Sequence, residues 1–252
     1  MKKEIITVAF AALLILSAAV LTRPSLAGQE AYHHLATAEK GLESVASKNL
    51  ISQQDYFLNA VLPFFEPVSF LKALSITLGA LCAIIFYFIV KSALKGNTPL
   101  YSSMIFILSP TFIFIFSTNS AETVTLFLFL AGILLLTREN RIAAYFSIVP
   151  LLLASINSLF AGILVLLVYF TYFIAKRDKK YFLAASSGAV IAALALLRPK
   201  FVVAYWLSEL PLTAKLFSDL GGMLGISIFT AIFAIAGLIA SKKRAYAYPL
   251  II

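Results

Sequence analysis

The sequence predicts an all-α protein, a polytopic transmembrane helical bundle of about eight spans plus a truncated ninth, with amphipathic interfacial helices in its first outer loop. Three observations carry this. The 252 residues are 62% hydrophobic and only 12% charged, against about 25% charged in ordinary soluble domains. The apolar residues fall into long runs rather than alternating with polar ones. The basic residues collect at the joints between those runs, alternately dense and sparse.

The apolar runs are Ile5–Leu21, Val68–Val90, Leu100–Phe116, Thr123–Thr137, Ile142–Ile156, Leu159–Ala175, Tyr181–Leu197 and Gly221–Ala240. A hydrocarbon core about 30 Å thick takes about 20 helical residues, so the shorter runs need help from their polar ends or a thinner bilayer. With the N-terminus in the cytoplasm and every run crossing, the inner joints hold Lys2, Lys3, Lys91, Lys95, Arg138, Arg141, Lys176, Arg177, Lys179, Lys180, Lys242, Lys243 and Arg244. Those are thirteen of the 20 basic residues, with three of the 11 acids, leaving +10 inside and −1 outside. That asymmetry is the positive-inside pattern, and it sets a multi-pass protein of the cytoplasmic (plasma) membrane with a cytoplasmic N-terminus.

The same reasoning divides Ile142–Ala175. As one helix its 34 residues would run about 51 Å, and the cluster Lys176–Lys180 would fall outside. A hairpin turning at Asn157-Ser158 avoids both. Pro110 and Pro150 lie inside runs and are expected to kink them. At the start, Lys2-Lys3, an apolar stretch and Ser25-Leu26-Ala27 also fit a secretory signal with a small-residue cleavage site; the downstream orientation is the same either way. At the end, Ala245–Ile252 reads as the beginning of a further span too short to cross, as in a truncated chain. The whole is expected to be a single transmembrane domain, residues 1–252, with outer loops at 23–67 and 198–220.

Residues 31–45 place Leu35, Ala38, Leu42 and Val45 at helical spacing, the pattern of an amphipathic helix lying on the membrane. Tyr56–Phe65 and the Tyr205, Trp206 and Pro211 region suit the interface. The charge of +9 is spread as punctuation and forms no basic stripe, which argues against nucleic acid as a partner. Membrane lipids are the expected surroundings. The single Cys82 supports neither a disulfide nor a thiolate metal site.

Chemistry concentrates in two places. Glu30, His33 and His34 stand at i, i+3 and i+4, one face of a helix. A carboxylate and two imidazoles could hold a divalent metal or pass a proton; equally, Glu30 could cap a helix while the histidines face water. There is no H-E-x-x-H zinc motif and no second E-x-x-H of a di-iron bundle. Glu122 follows the polar turn Ser117–Ala121 and precedes a short run, which pulls the turn toward or below the headgroups. A carboxylate at that depth is a functional candidate, or a helix cap. Arg198 and Lys200 flank Pro199 on the same outer face, where they could neutralise a lipid phosphate or snorkel from a helix end. No carboxylate lies mid-run, which counts against an ion-coupled transporter.

Taken together, these features resemble the GT-C-type integral membrane glycosyltransferases, the superfamily of the oligosaccharyltransferase catalytic subunit and the dolichyl-phosphate-mannose mannosyltransferases. The likeness covers roughly residues 1–200. One helix leads into an outer loop with an acidic motif, Gly28-Gln29-Glu30, followed by Ala31-Tyr32-His33-His34-Leu35. An aromatic stretch, Asp55-Tyr56-Phe57-Leu58 through Phe64-Phe65, returns to a helix ending at Lys91. A run containing Ser109-Pro110 then leads to the turn Asn119–Glu122. The resemblance implies transfer of a sugar from a polyprenyl- or dolichyl-phosphate donor to an acceptor at the extracytoplasmic face. It gives Glu30 the role of base or metal ligand and Glu122 that of a second acid, with Mg or Mn as the metal. Tyr32, His33, His34, Asn119, Arg198 and Lys200 would contact donor or acceptor. The chain departs from the pattern at Gln29, where many relatives have an acid, and at Ala36, where a basic residue is expected. It also stops before a soluble C-terminal domain. Those departures keep a second expectation open, a non-catalytic or degenerate protein that binds a lipid carrier.

Overall fold

The computed structural model describes residues 2–22, 66–94, 96–118, 121–138, 141–157 and 164–169. Among them every regular element is helical and none is a strand. The elements are α1 (Lys2–Leu21), α2 (Pro67–Ala93), α3 (Thr98–Leu108), α4 (Pro110–Ser117), α5 (Ala121–Thr137), α6 (Arg141–Phe146) and α7 (Ile148–Asn157), with a further helical stretch at 164–169.

Two of these, α1 and α2, are long and apolar enough to cross a membrane, and α3 with α4 forms a third such stretch broken by a 57° bend. At 1.5 Å per residue, the 20 residues of α1 and the 27 of α2 run about 30 and 40 Å. α1 begins earlier than its apolar run, because Glu4 sits in the first turn, where a carboxylate meets the positive end of the helix dipole. Its inner face is a stripe of Val8, Ala12 and Leu16, each 0% exposed, and Val20. The opposite face is equally apolar but open: Phe10 is 65% exposed, and Ile6, Leu14 and Leu21 are similarly bare. Such a bare apolar face is costly in water and harmless against lipid tails.

The chain divides into two units, Met1–Tyr87 with Pro99–Phe127, and Phe88–Thr98 with Leu128–Ile252. In the first, helices meet around a glycine. A Cβ on Gly79 of α2 would overlap Leu16 Cδ1 of α1 and lie 3.1 Å from Phe116 Cγ of α4. Small residues permit this close approach, which is how helices gain packing contacts where lipid leaves little hydrophobic driving force between them. Pairing of the Glu4 carboxylate with the Tyr87 hydroxyl, and of Leu16 with Gly79, makes α1 and α2 antiparallel. The stacked rings of Phe86 and Phe106, 4.3 Å between centroids, together with Phe116 over Gly79, make α3–α4 antiparallel to α2 as well.

The bend at Pro110 has a local cause. Proline has no N–H to give to the carbonyl four residues back, here that of Phe106. Ser109 replaces it twice: its hydroxyl donates to Phe106 O at 2.7 Å and its amide donates to the same oxygen at 3.2 Å. The same Oγ accepts from Phe112 N at 3.2 Å, so Ser109, extended at φ −65°, ψ 134°, is the N-cap of α4. The expected kink is present here.

At Pro150 the outcome differs from expectation. The helix is interrupted for one residue at Ser147, three residues before the proline. Backbone bonds continue across it, from Ser147 N to Ala143 O at 2.9 Å and from Leu151 N to Ser147 O at 3.2 Å, and Ile142–Ser155 reads as one apolar helix. Pro150 falls in the first turn of α7, where a missing N–H costs least, so no sharp break follows.

In the second unit α5 packs on α7: a Cβ on Gly132 would overlap Leu151 Cγ. Ser147 Oγ and Tyr169 Oη lie 3.5 Å apart, although 22 residues separate them in the chain. On one continuous helix they would be about 33 Å apart. The chain therefore folds back between them, which excludes a single long helix through Ile142–Ala175. Between α2 and α3, Gly96 takes φ +72°, a left-handed turn that favours glycine.

Candidate functional site

Of the residues that sequence reasoning selects, Glu122 lies within the described part of the molecule. Glu30, Tyr32, His33, His34, Asn119, Arg198 and Lys200 lie outside the described residues, as do the amphipathic 31–45 segment, the aromatic Tyr56–Phe65 stretch and the second outer loop at 198–220.

Glu122 stands in the first turn of α5 and is half-buried. Its position follows from how α4 ends. A helix leaves its last four carbonyls without intrahelical donors, and in an apolar setting each needs another partner. Here hydroxyls provide them. Phe114 O accepts from Thr118 N, Thr118 Oγ1 and Ser117 Oγ, each at 3.1 Å. Ile115 O accepts from Thr123 Oγ1 at 3.0 Å. That last bond reaches across the turn and ties the first turn of α5 to the end of α4. Thr123 is buried, as are Ser117 and Thr125, and the hydroxyls of Ser117 and Thr123 are engaged. The carboxylate next to Thr123 thus stands in the first turn of α5, whose backbone is tied to the end of α4.

The turn also has a defined place in the first unit. Because α4 runs in the same direction as α1, it points toward the end of the unit at which α1 finishes (Leu21) and α2 begins (Pro67), and it stops at the level of Gly79, near the middle of α2. Residues 23–65, which include Glu30, follow α1 and precede α2 in the chain.

Metal chemistry has no complete donor set among the described residues: no three His, Cys, Asp or Glu side chains converge there. Glu122 alone does not make a metal site.

One polar pairing escaped the sequence reading. Tyr87, 1% exposed in the last third of apolar α2, donates its hydroxyl to Glu4 Oε2 of α1. The signal was available in outline, since a buried tyrosine needs a partner for its hydroxyl. Charge counting had assigned Glu4 only to the cytoplasmic joint.

Compared with known protein families, with curated proteins and with solved structures, the chain finds no match.

Proposed function

We propose that this chain is a multi-pass membrane glycosyltransferase of GT-C type, moving a sugar from a polyprenyl- or dolichyl-phosphate donor to an acceptor at the outer membrane face. What carries the reading is the Gly28-Gln29-Glu30 motif with Tyr32-His33-His34 directly after an apolar N-terminal helix. Two further features support it. The helices are apolar on their outward faces, as a lipid substrate requires of its enzyme. α4, which leads to Glu122, points toward the end of the first unit at which α1 finishes and α2 begins, on either side of the Glu30 segment in the chain.

In this reading the acceptor hydroxyl or amide loses a proton to Glu30 as the glycosidic bond to phosphate breaks. The lipid phosphate departs carrying the negative charge. Arg198 and Lys200 supply positive charge for it, and His33 and His34 orient donor or acceptor. Glu122 is the second acid, assisting on the acceptor side. A divalent metal, where bound, would neutralise the phosphate leaving group.

A second reading rests on Gln29, which reduces the expected acidic pair to one carboxylate: a protein that binds the lipid carrier without turnover. The two separate in one assay. The full chain in lipid nanodiscs is given a radiolabelled polyprenyl-phosphate sugar, and release of polyprenyl phosphate is followed with membrane extract as acceptor source. The enzyme reading expects turnover that falls at least about 100-fold in Glu30→Gln, as removal of a general base does. Turnover unchanged in Glu30→Gln removes the role given to that residue. Saturable donor binding with no turnover in the unsubstituted chain favours the second reading.

A further inference from the structure

We infer that the end of α4 and the start of α5 (Ser117, Thr118, Glu122 and Thr123) lie inside the hydrocarbon region, near the depth of the middle of α2, so that α3–α4 stops short of a full span and Glu122 is a submerged carboxylate. The inference goes beyond glycosyl transfer and rests on the membrane reading only in taking α2 as a crossing helix.

Length is the first argument. The 11 residues of α3 and 8 of α4 are about 16 and 12 Å long, and with a 57° bend they reach only about 23 Å along α3. The 17 residues of α5 reach about 25 Å. Both elements that meet at this turn fall short of a hydrocarbon core about 30 Å thick.

Register is the second. Phe116, one residue before the end of α4, lies against Gly79. Gly79 is the thirteenth of the 27 residues of α2, one residue before its midpoint. The end of α4 is therefore level with the middle of a helix about 40 Å long, well below the point where α2 emerges at Pro67.

Chemistry is the third. In water a helix-end carbonyl can be left to solvent. This turn satisfies Phe114 O and Ile115 O with the hydroxyls of Ser117, Thr118 and Thr123, and buries Ser117 and Thr123 in doing so. Internal satisfaction of this kind is what irregular backbone at membrane depth requires. Thr123 is the positioning residue, since its bond to Ile115 O sets the first turn of α5 and with it Glu122.

The test measures depth. Single cysteines replace Glu66, Leu81, Thr118 and Glu122 in a Cys82→Ser background, each in the full chain in phospholipid bilayers. Each is spin-labelled, and its exposure to oxygen is compared with its exposure to a water-soluble nickel chelate. Leu81, outward-facing near the middle of α2, is the deep reference, and Glu66 the surface reference. The expected result places the labels at 118 and 122 about 10 Å or more below that at 66. Labels at 118 and 122 within about 3 Å of the depth at 66, with Leu81 deep, overturn the inference and leave the membrane reading standing. A label at Leu81 that reads as aqueous overturns both. Thr118→Cys serves as the second variant should Glu122→Cys fail to fold.

Discussion

Two segments of the chain contain a proline within an apolar helix, and they behave differently. At Pro110 the helix breaks into α3 and α4 with a 57° bend. Before Pro150 it is interrupted at one residue and continues. Proline is common to both, so proline alone does not decide the outcome. The residue before Pro110 is a serine whose hydroxyl donates to the carbonyl the proline leaves bare and accepts from the new helix. The residue before Pro150 is Val149, which offers neither bond, and the nearest serine, Ser147, donates its hydroxyl to Ala144 O instead. A sharp bend persists where a side chain supplies the bonds that the bend opens. Each segment also rests on a glycine of a neighbouring helix, Phe116 on Gly79 and Leu151 on Gly132.

The glycines should give the largest effects. Alanine at Gly132 would strike Leu151 at its branch point, so the whole side chain must move, whereas alanine at Gly79 meets the mobile tip of Leu16 first. We expect Gly132→Ala to cost about 2–3 kcal/mol and Gly79→Ala about 1 kcal/mol, read as thermal stability in detergent. Equal costs would mean that both sites repack alike.

Next come the serines. Ser109→Ala removes the donor to Phe106 O and the cap on Phe112 N, a loss of about 1–2 kcal/mol. Ser147→Ala removes one local bond, a loss of about 0.5–1 kcal/mol. The comparison fails if the order reverses.

The bend itself can be measured. Spin labels at Tyr101 and Thr118 in the Cys82→Ser background should move apart by about 3 Å when Pro110→Ala restores a straight helix. Labels at Ile142 and Leu153 should shift by less than about 1 Å in Pro150→Ala, because that helix is already continuous. The smallest effect belongs to Tyr169→Phe. Its hydroxyl is 3.5 Å from Ser147 Oγ, at the limit of hydrogen-bond length, and its removal should change stability by less than about 0.5 kcal/mol.

Much of this helical framework was legible in the sequence, and the reasons for the rest are physical. Apolar runs located α1 and α2 to within three residues at each end. The differences fall where charged residues extend a helix past its apolar stretch, Lys2–Glu4 at the start of α1 and Lys91 near the end of α2. A kink at Pro110 was expected from the proline and is present. The milder outcome at Pro150 was not, because it depends on where the helix restarts. The return of the chain after α7, argued from length and charge, agrees with the Ser147–Tyr169 approach. Gly79 and the Glu4–Tyr87 pair were not legible: they are contacts between residues far apart in the chain, and no local spacing encodes them. Of the candidate site, Glu122 and its tie through Thr123 fall in the described residues. The shortness of the run that follows that turn led to an expectation of depth, while its hydroxyl-satisfied carbonyls came only from the structure.

The account turns on which side of the membrane the Glu30 loop occupies, since a lipid-linked donor at the outer face cannot meet a cytoplasmic loop. The direct measurement is labelling of single cysteines, Gln29→Cys and Lys95→Cys in the Cys82→Ser background, with a membrane-impermeant maleimide on intact cells and again after permeabilisation. The account predicts that position 29 is labelled on intact cells and position 95 only after permeabilisation. Labelling of position 95 on intact cells, with position 29 protected until the membrane is opened, would contradict it.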